Sequence, residues 1–142
     1  MIDILTKRTV SNFTVHEHGH CVVSFAGDYS LSFECLGRFV GHDGEFHTTR
    51  DHGHQFGMAQ PLDVARTIGE KIEGRVIEKA LVRDDTGDIC LHFSTGILEV
   101  ICDSSGYEAY QLSGPNDFRV VGRGGQKESN QPPQPGPTGR FV

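Results

Sequence analysis

The residues with the greatest chemical potential lie in one short segment late in the chain. Tyr107, Glu108, Tyr110 and Gln111 bring together two phenol rings, a carboxylate and an amide, and Arg119 follows on the next predicted strand. Tyrosine combines an apolar ring with a hydrogen-bonding tip, which suits binding pockets and interfaces. Alternate residues of a strand share a face, so Glu108 and Tyr110 are predicted to point to the same side. Two interpretations stay open, a contact with a ligand or partner and a structural corner.

Three alternating histidines, His16, His18 and His20, form a second group. On a continuous strand this spacing would place three imidazoles on one face, a donor set for a divalent transition metal. The alignment described below instead places residues 16–19 opposite the carboxylate turn 83–87, which has no equivalent ligand set. We therefore predict a solvated hairpin turn and no metal site, with the three histidines only weak metal candidates.

Other reactive patterns are absent from the sequence. It contains no G-x-S-x-G nucleophile motif and no phosphate-binding glycine loop that leads into a helix. The four cysteines lie in strand patterns without C-x-x-C spacing, so we expect reduced thiols in the core rather than a zinc site. We predict no cofactor and regard an enzyme as the least favoured class.

Charge and composition narrow the range of partners. The net charge of −6 disfavours nucleic acid as a partner, because a nucleic-acid-binding face needs basic residues to meet phosphates. The same charge would suit a basic protein. Long apolar runs and a signal peptide are both missing, which predicts a cytoplasmic protein without a membrane partner.

Two stretches, residues 5–35 and 72–102, align as copies of a strand–turn–strand–turn–strand pattern. Between them an apolar stripe with 3.6-residue spacing predicts one helix over residues 61–73. These elements predict an α+β domain over residues 1–125, with two related antiparallel β-meander units joined by a loop and the helix. The sheet could be a curved single sheet or a partly open barrel, and its edge strands make a homodimer plausible. The Pro-, Gln- and Gly-rich residues 126–142 are predicted to be a disordered tail.

The sequence Tyr-Glu-Ala-Tyr-Gln-Leu at 107–112, followed by Gly114-Pro115, resembles the Y-E-A-W-x-L…G-P signature of an uncharacterised bacterial domain family. The chain departs from this signature at Tyr110, where the family has tryptophan, and at 120–125. The resemblance implies no activity. By analogy, small bacterial families of this kind often include immunity proteins of toxin systems.

Two functional hypotheses follow from these observations. The first is a non-enzymatic binding protein, such as an immunity-like inhibitor of a bacterial toxin that acts through an acidic, tyrosine-bearing surface. The second is a module for a small nucleotide-like ligand, with Tyr107, Tyr110 and Arg119 lining the pocket. A purely structural or interaction domain remains a further alternative.

Overall fold

The computed structural model describes residues 2–105 and 107–130. Its strands are β1 (Val10–Val15), β2 (Cys21–Phe25), β3 (Tyr29–Phe33), β4 (Leu36–Gly41), β5 (Phe46–Thr48), β6 (Lys79–Val82), β7 (Ile89–Phe93), β8 (Gly96–Ile101), β9 (Glu108–Ser113), β10 (Arg119–Arg123) and β11 (Gln126–Asn130). The single α-helix among the described residues is α1 (Val64–Ile72), and one-turn 3-10 helices occur at Ile2–Leu5, Glu17–Gly19 and Thr49–Asp51. The chain is therefore β-rich, with one α-helix between its two halves.

The strands form two antiparallel sheets. The first has the order β1-β2-β3-β9-β10-β11 and the second the order β5-β4-β8-β7-β6. The described strands do not close into a barrel, so the prediction of one curved sheet or a partly open barrel is replaced by two separate sheets. The chain passes from one sheet to the other twice, between β3 and β4 and between β8 and β9.

Alternating apolar residues build the core, as the sequence pattern requires. In β2, β7 and β8 every second residue is buried, and the largest fully buried side chains include Phe33, Phe39, Phe93 and Tyr110. Because each half of the chain supplies strands to both sheets, its apolar residues enter a common core.

Helix α1 packs against β1 through its apolar stripe, and both Ile68 and Ile72 are fully buried. It begins three residues later than Pro61, where the sequence predicts its start, because Asp63 is the N-cap and its Oδ1 accepts a hydrogen bond of 3.1 Å from the backbone N–H of Arg66. At its C-terminal end, Gly74 adopts φ +77° and donates its N–H to the Val10 carbonyl of β1 over 2.8 Å.

The last described strand lies within the predicted tail. Gln126–Asn130 pair with β10 as an edge strand, with Gln126 opposite Arg123. The backbone ladder supplies the hydrogen bonds of this strand. The remaining tail residues, 131–142, lie outside the described residues.

Among the described residues, no helix is long and apolar enough to cross a membrane.

Candidate functional site

A β-bulge at the start of β9 decides where the predicted site residues point. Leu112 lies opposite Val120 and Tyr110 opposite Gly122, but Arg123 pairs with Glu108. Ala109 is therefore an extra residue in β9 without a partner in β10. The bulge interrupts the alternation: Glu108 is exposed, whereas Ala109 and Tyr110 are both buried. The prediction that Glu108 and Tyr110 share one face is wrong for this reason.

Tyr110 belongs to the core. Its side chain is 1% exposed, and its ring lies over Gly122, where an added Cβ would come within 2.1 Å of the tyrosine Cζ. The glycine thus leaves the space that the ring fills. Among the described residues, the Tyr110 hydroxyl has no hydrogen-bond partner, and burial raises the pKa of the phenol far above its usual value. This placement corresponds to the structural-corner interpretation of the segment.

Tyr107 and Arg119 lie at opposite ends of β9. Tyr107 precedes the strand and is 73% exposed, while Arg119 is exposed opposite Ser113 at the far end. Five residue steps along a strand span roughly 17 Å. Gln111 is half-buried between these ends, and its Nε2 donates to the Ser113 hydroxyl over 3.0 Å. The structure does not bring Tyr107, Tyr110 and Arg119 to one pocket.

Glu108 instead lines a small pocket of about 160 Å³ with residues from the other end of the chain. The polar lining comes from His20, just before β2, from Ser32 in β3, and from Glu34, just after β3. Ala109 and Tyr110 line it from β9. The pairing of β3 with β9 inside the first sheet brings these segments together, although they lie far apart in the sequence.

Two carboxylates, those of Glu34 and Glu108, line this pocket. Among residues 2–105 and 107–125, neither Glu34 nor Glu108 makes a side-chain hydrogen bond or an ion pair. Two other surface acids are paired: Asp85 accepts two bonds of 2.9 Å from the Arg83 guanidinium, and Asp103 contacts Arg50. We call Tyr107, Glu108, Glu34 and His20 the acidic pocket surface.

The three candidate histidines occupy the turn between β1 and β2. His18 adopts a left-handed conformation with φ +62°, and the His16 and His20 rings flank it with centroids 5.9 Å apart. His16 also contacts the Thr14 hydroxyl over 3.1 Å. No group of three His, Cys, Asp or Glu side chains in the described part of the chain is arranged to hold a metal ion.

A second concavity, of about 410 Å³, lies between α1 and β1. The Glu73 carboxylate reaches across it and accepts the backbone N–H of Phe13 over 2.7 Å. Gly69 permits this, because an added Cβ would lie 3.3 Å from the Glu73 carboxylate carbon. The Arg66 guanidinium pairs with Glu70 over 3.3 Å. The charges of this groove are therefore largely satisfied within the chain.

His52 has a structural function that the sequence did not indicate. Its Nδ1 accepts the backbone N–H groups of Val64 at 3.1 Å and Ala65 at 3.3 Å. It therefore satisfies two of the N–H groups that the start of a helix leaves without a partner. The proximity arises because the loop 49–63 folds back onto α1, which local sequence patterns do not encode.

Comparison with known proteins gives no guide to the function: no family model matches the chain, and no curated protein or solved structure matches it.

Proposed function

We propose that this chain is a non-enzymatic binding protein that recognises a basic protein through the acidic pocket surface. An immunity-like inhibitor of a bacterial toxin is the specific form of this proposal. The observation that carries it is that the carboxylates of Glu34 and Glu108, which have no partner among residues 2–105 and 107–125, line one small pocket. The exposed Tyr107 directly precedes Glu108 in the chain.

The size of the pocket favours a side chain over a small ligand. Pockets that enclose drug-sized molecules measure roughly 300–1,000 Å³, whereas this pocket measures about 160 Å³. It can receive the end of one long side chain. A lysine or arginine from a partner would neutralise the carboxylates of Glu34 and Glu108, and a second cation could lie over the Tyr107 ring.

The energetic argument is one of electrostatic complementarity. Carboxylates on a surface do not destabilise the fold while water hydrates them. When a partner binds and removes that water, the interface favours a partner that supplies positive charge to the carboxylates. Tyrosine and arginine are enriched among the residues that dominate binding energies at interfaces. Tyr107 is already held at the surface, next to a β-bulge that fixes the direction of Glu108.

The experiment uses the intact chain as bait and measures the affinity of any captured protein. We expect a basic partner whose binding weakens at least about 30-fold, or roughly 2 kcal/mol, in Tyr107→Ala and Glu108→Gln. Phe56→Ala is the matched control, because Phe56 is also exposed, at 65%, but lies in a different loop. Failure to recover a protein partner, or a partner whose affinity is the same for all three variants, would contradict the proposal.

The nucleotide hypothesis is tested in the same preparation. A thermal-shift screen over nucleotides should leave the melting temperature unchanged if a protein is the partner. Stabilisation by a nucleotide, abolished in Arg119→Ala, would instead favour the ligand-binding module. Size-exclusion chromatography with light scattering tests the proposed homodimer.

We also infer that the two halves of the chain derive from one duplicated unit. The strand order supports this. The strands β1-β2-β3 form one antiparallel meander and β6-β7-β8 form another. In each sheet, the strand added next to the meander is the one that follows the other meander in the chain. Thus β9 follows β8 in the chain but pairs with β3 in the first sheet. In the same way, β4 follows β3 in the chain but pairs with β8 in the second sheet. An alignment of homologous chains tests the inference, since core positions should correspond between residues 5–35 and 72–102 across the set.

A further inference from the structure

Two cysteines face each other where the chain passes between the sheets. In the antiparallel pair β4–β8, Leu36 lies opposite Ile101. One step beyond the ladder, the same register places Cys35 opposite Cys102. Cys35 lies between β3 and β4, and Cys102 directly follows β8. The two residues also occupy equivalent positions in the predicted repeat.

The hydrogen bonds of β4 identify the type of pair. His42 donates its N–H to the Thr95 carbonyl in this same register, over 3.1 Å. Gly37 donates its N–H away from β8, to the Thr49 hydroxyl over 3.0 Å. Even-numbered residues of β4 therefore bond to β8, and odd-numbered residues do not. Cys35 belongs to the odd-numbered set.

The backbone of Cys102 gives the same result from the opposite strand. Its N–H donates to the Asp88 carboxylate over 2.8 Å, on the β7 side, and so does not bond to Cys35. If the register of the ladder continues by one residue, the cysteines form a non-hydrogen-bonded pair, a type in which Cα atoms lie about 4.5 Å apart. Disulfides span Cα separations of about 4.4–6.8 Å, so this pair falls at the short end of the permitted range.

The thiols share one side of the sheet and differ in access. Cys35 is 7% exposed, and burial, followed by the neighbouring Cys102 thiol, raises its pKa to about 12. Cys102 is partly exposed and lines a groove of about 370 Å³ together with Asp103 and Gly124. A small oxidant in solution therefore reaches the Cys102 thiol before the more buried Cys35 thiol. Burial raises the pKa of Cys102 to about 11, so the reaction is slow at neutral pH.

We propose that Cys35 and Cys102 form a reversible cross-strand disulfide when the protein meets a peroxide. The Cys102 thiolate attacks one peroxide oxygen, the O–O bond breaks, and the departing hydroxide takes up a proton as water. The resulting sulfenic acid is attacked by the Cys35 sulfur: the S–S bond forms, the S–O bond breaks, and hydroxide leaves with the Cys35 proton as a second water. Two thiols lose two electrons, and one peroxide gains them.

The bond would tie β4 to β8 at the junction of the two sheets. It would restrict the unfolded chain more than the folded one, and so stabilise the fold. Because a short cross-strand span strains a disulfide, the bond should be easily reduced. The site would act as a redox-dependent brace between two neighbouring strands of the second sheet, at the end where the chain crosses to the first sheet, and is distinct from the acidic pocket surface.

The test treats the intact, fully reduced chain with hydrogen peroxide at about pH 9, where more thiolate is present. After alkylation, we expect two of the four thiols to be lost, a mass decrease of about two hydrogens, and one crosslinked peptide joining Cys35 to Cys102. Dithiothreitol should restore all four thiols and lower the urea midpoint to that of the untreated protein.

Two variants provide the contrast. Cys90→Ser should retain the crosslink, because Cys90 lies on β7 opposite Glu99, and Cys102→Ser should lose it. If Cys102→Ser does not fold, the peptide map of the oxidised, unaltered chain shows which two cysteines are crosslinked. Four free thiols after treatment, a crosslink that joins any other pair, or a dimer linked between chains would overturn the proposal.

Discussion

Replacing Tyr110 with phenylalanine is expected to leave the fold as stable as before or to stabilise it. The Tyr110 ring is 1% exposed, and its hydroxyl has no hydrogen-bond partner among the described residues. A buried polar group without a partner costs about 1–3 kcal/mol of desolvation free energy. Phenylalanine keeps the ring over Gly122 and removes that cost. We therefore expect a free energy of unfolding between about 0.5 kcal/mol below and about 2 kcal/mol above that of the unaltered chain.

Urea unfolding measured by fluorescence or circular dichroism provides the assay, with the slope compared to confirm that the denatured state is unchanged. Tyr110→Ala should lower the free energy of unfolding by about 3–5 kcal/mol, because it leaves a cavity in the space over Gly122. Tyr107→Phe is the control for the hydroxyl alone, since its ring is exposed and its change should lie within about 0.5 kcal/mol. A loss of about 1 kcal/mol or more in Tyr110→Phe would show that the hydroxyl is satisfied, and would refute the reasoning.

Three further substitutions test the packing around this core, each measured by urea unfolding. Glu73→Ala should lower the free energy of unfolding by about 1 kcal/mol, because the backbone N–H of Phe13 loses its acceptor. Glu73→Gln keeps an acceptor and should lower it less. Equal losses in the two variants would contradict a stabilising hydrogen bond between Glu73 and Phe13. His52→Ala should cost about 1 kcal/mol through the lost cap at the start of α1, and an unchanged midpoint would dismiss that function. Gly122→Ala should cost at least about 2 kcal/mol, since its Cβ would overlap the Tyr110 ring, and this penalty should shrink when Tyr110 is replaced by alanine.

The sequence predicted the helix well, because its signals are local. An apolar stripe with 3.6-residue spacing identified the face of α1 that packs on β1, and Gly74 marked its end. The predicted start at Pro61 was three residues early, since Asp63 supplies the capping carboxylate. The cap is the side chain that reaches the first N–H groups of the helix, and the conformation of the folded loop before α1 determines which side chain that is.

The candidate site was less predictable. The sequence singled out segment 107–111 as a candidate site, but regular alternation placed Tyr110 on the same side as Glu108. A single unpaired residue, Ala109, turns Tyr110 into the core and leaves Glu108 at the surface. Nothing in the five residues themselves encodes the bulge, because it arises from the register between β9 and β10.

By itself, the sequence determined most of the strands, the helix and their apolar faces, because these follow from short-range periodicity and backbone preference, but it did not indicate β11. The tertiary structure decided how the strands divide between two sheets, where β9 bulges, and that Glu34 and Glu108 meet at one pocket while Cys35 and Cys102 face each other. These features depend on hydrogen-bond register between segments far apart in the chain. Register is set when the whole core packs, because a slip of one residue would turn every apolar side chain of a strand to the opposite face.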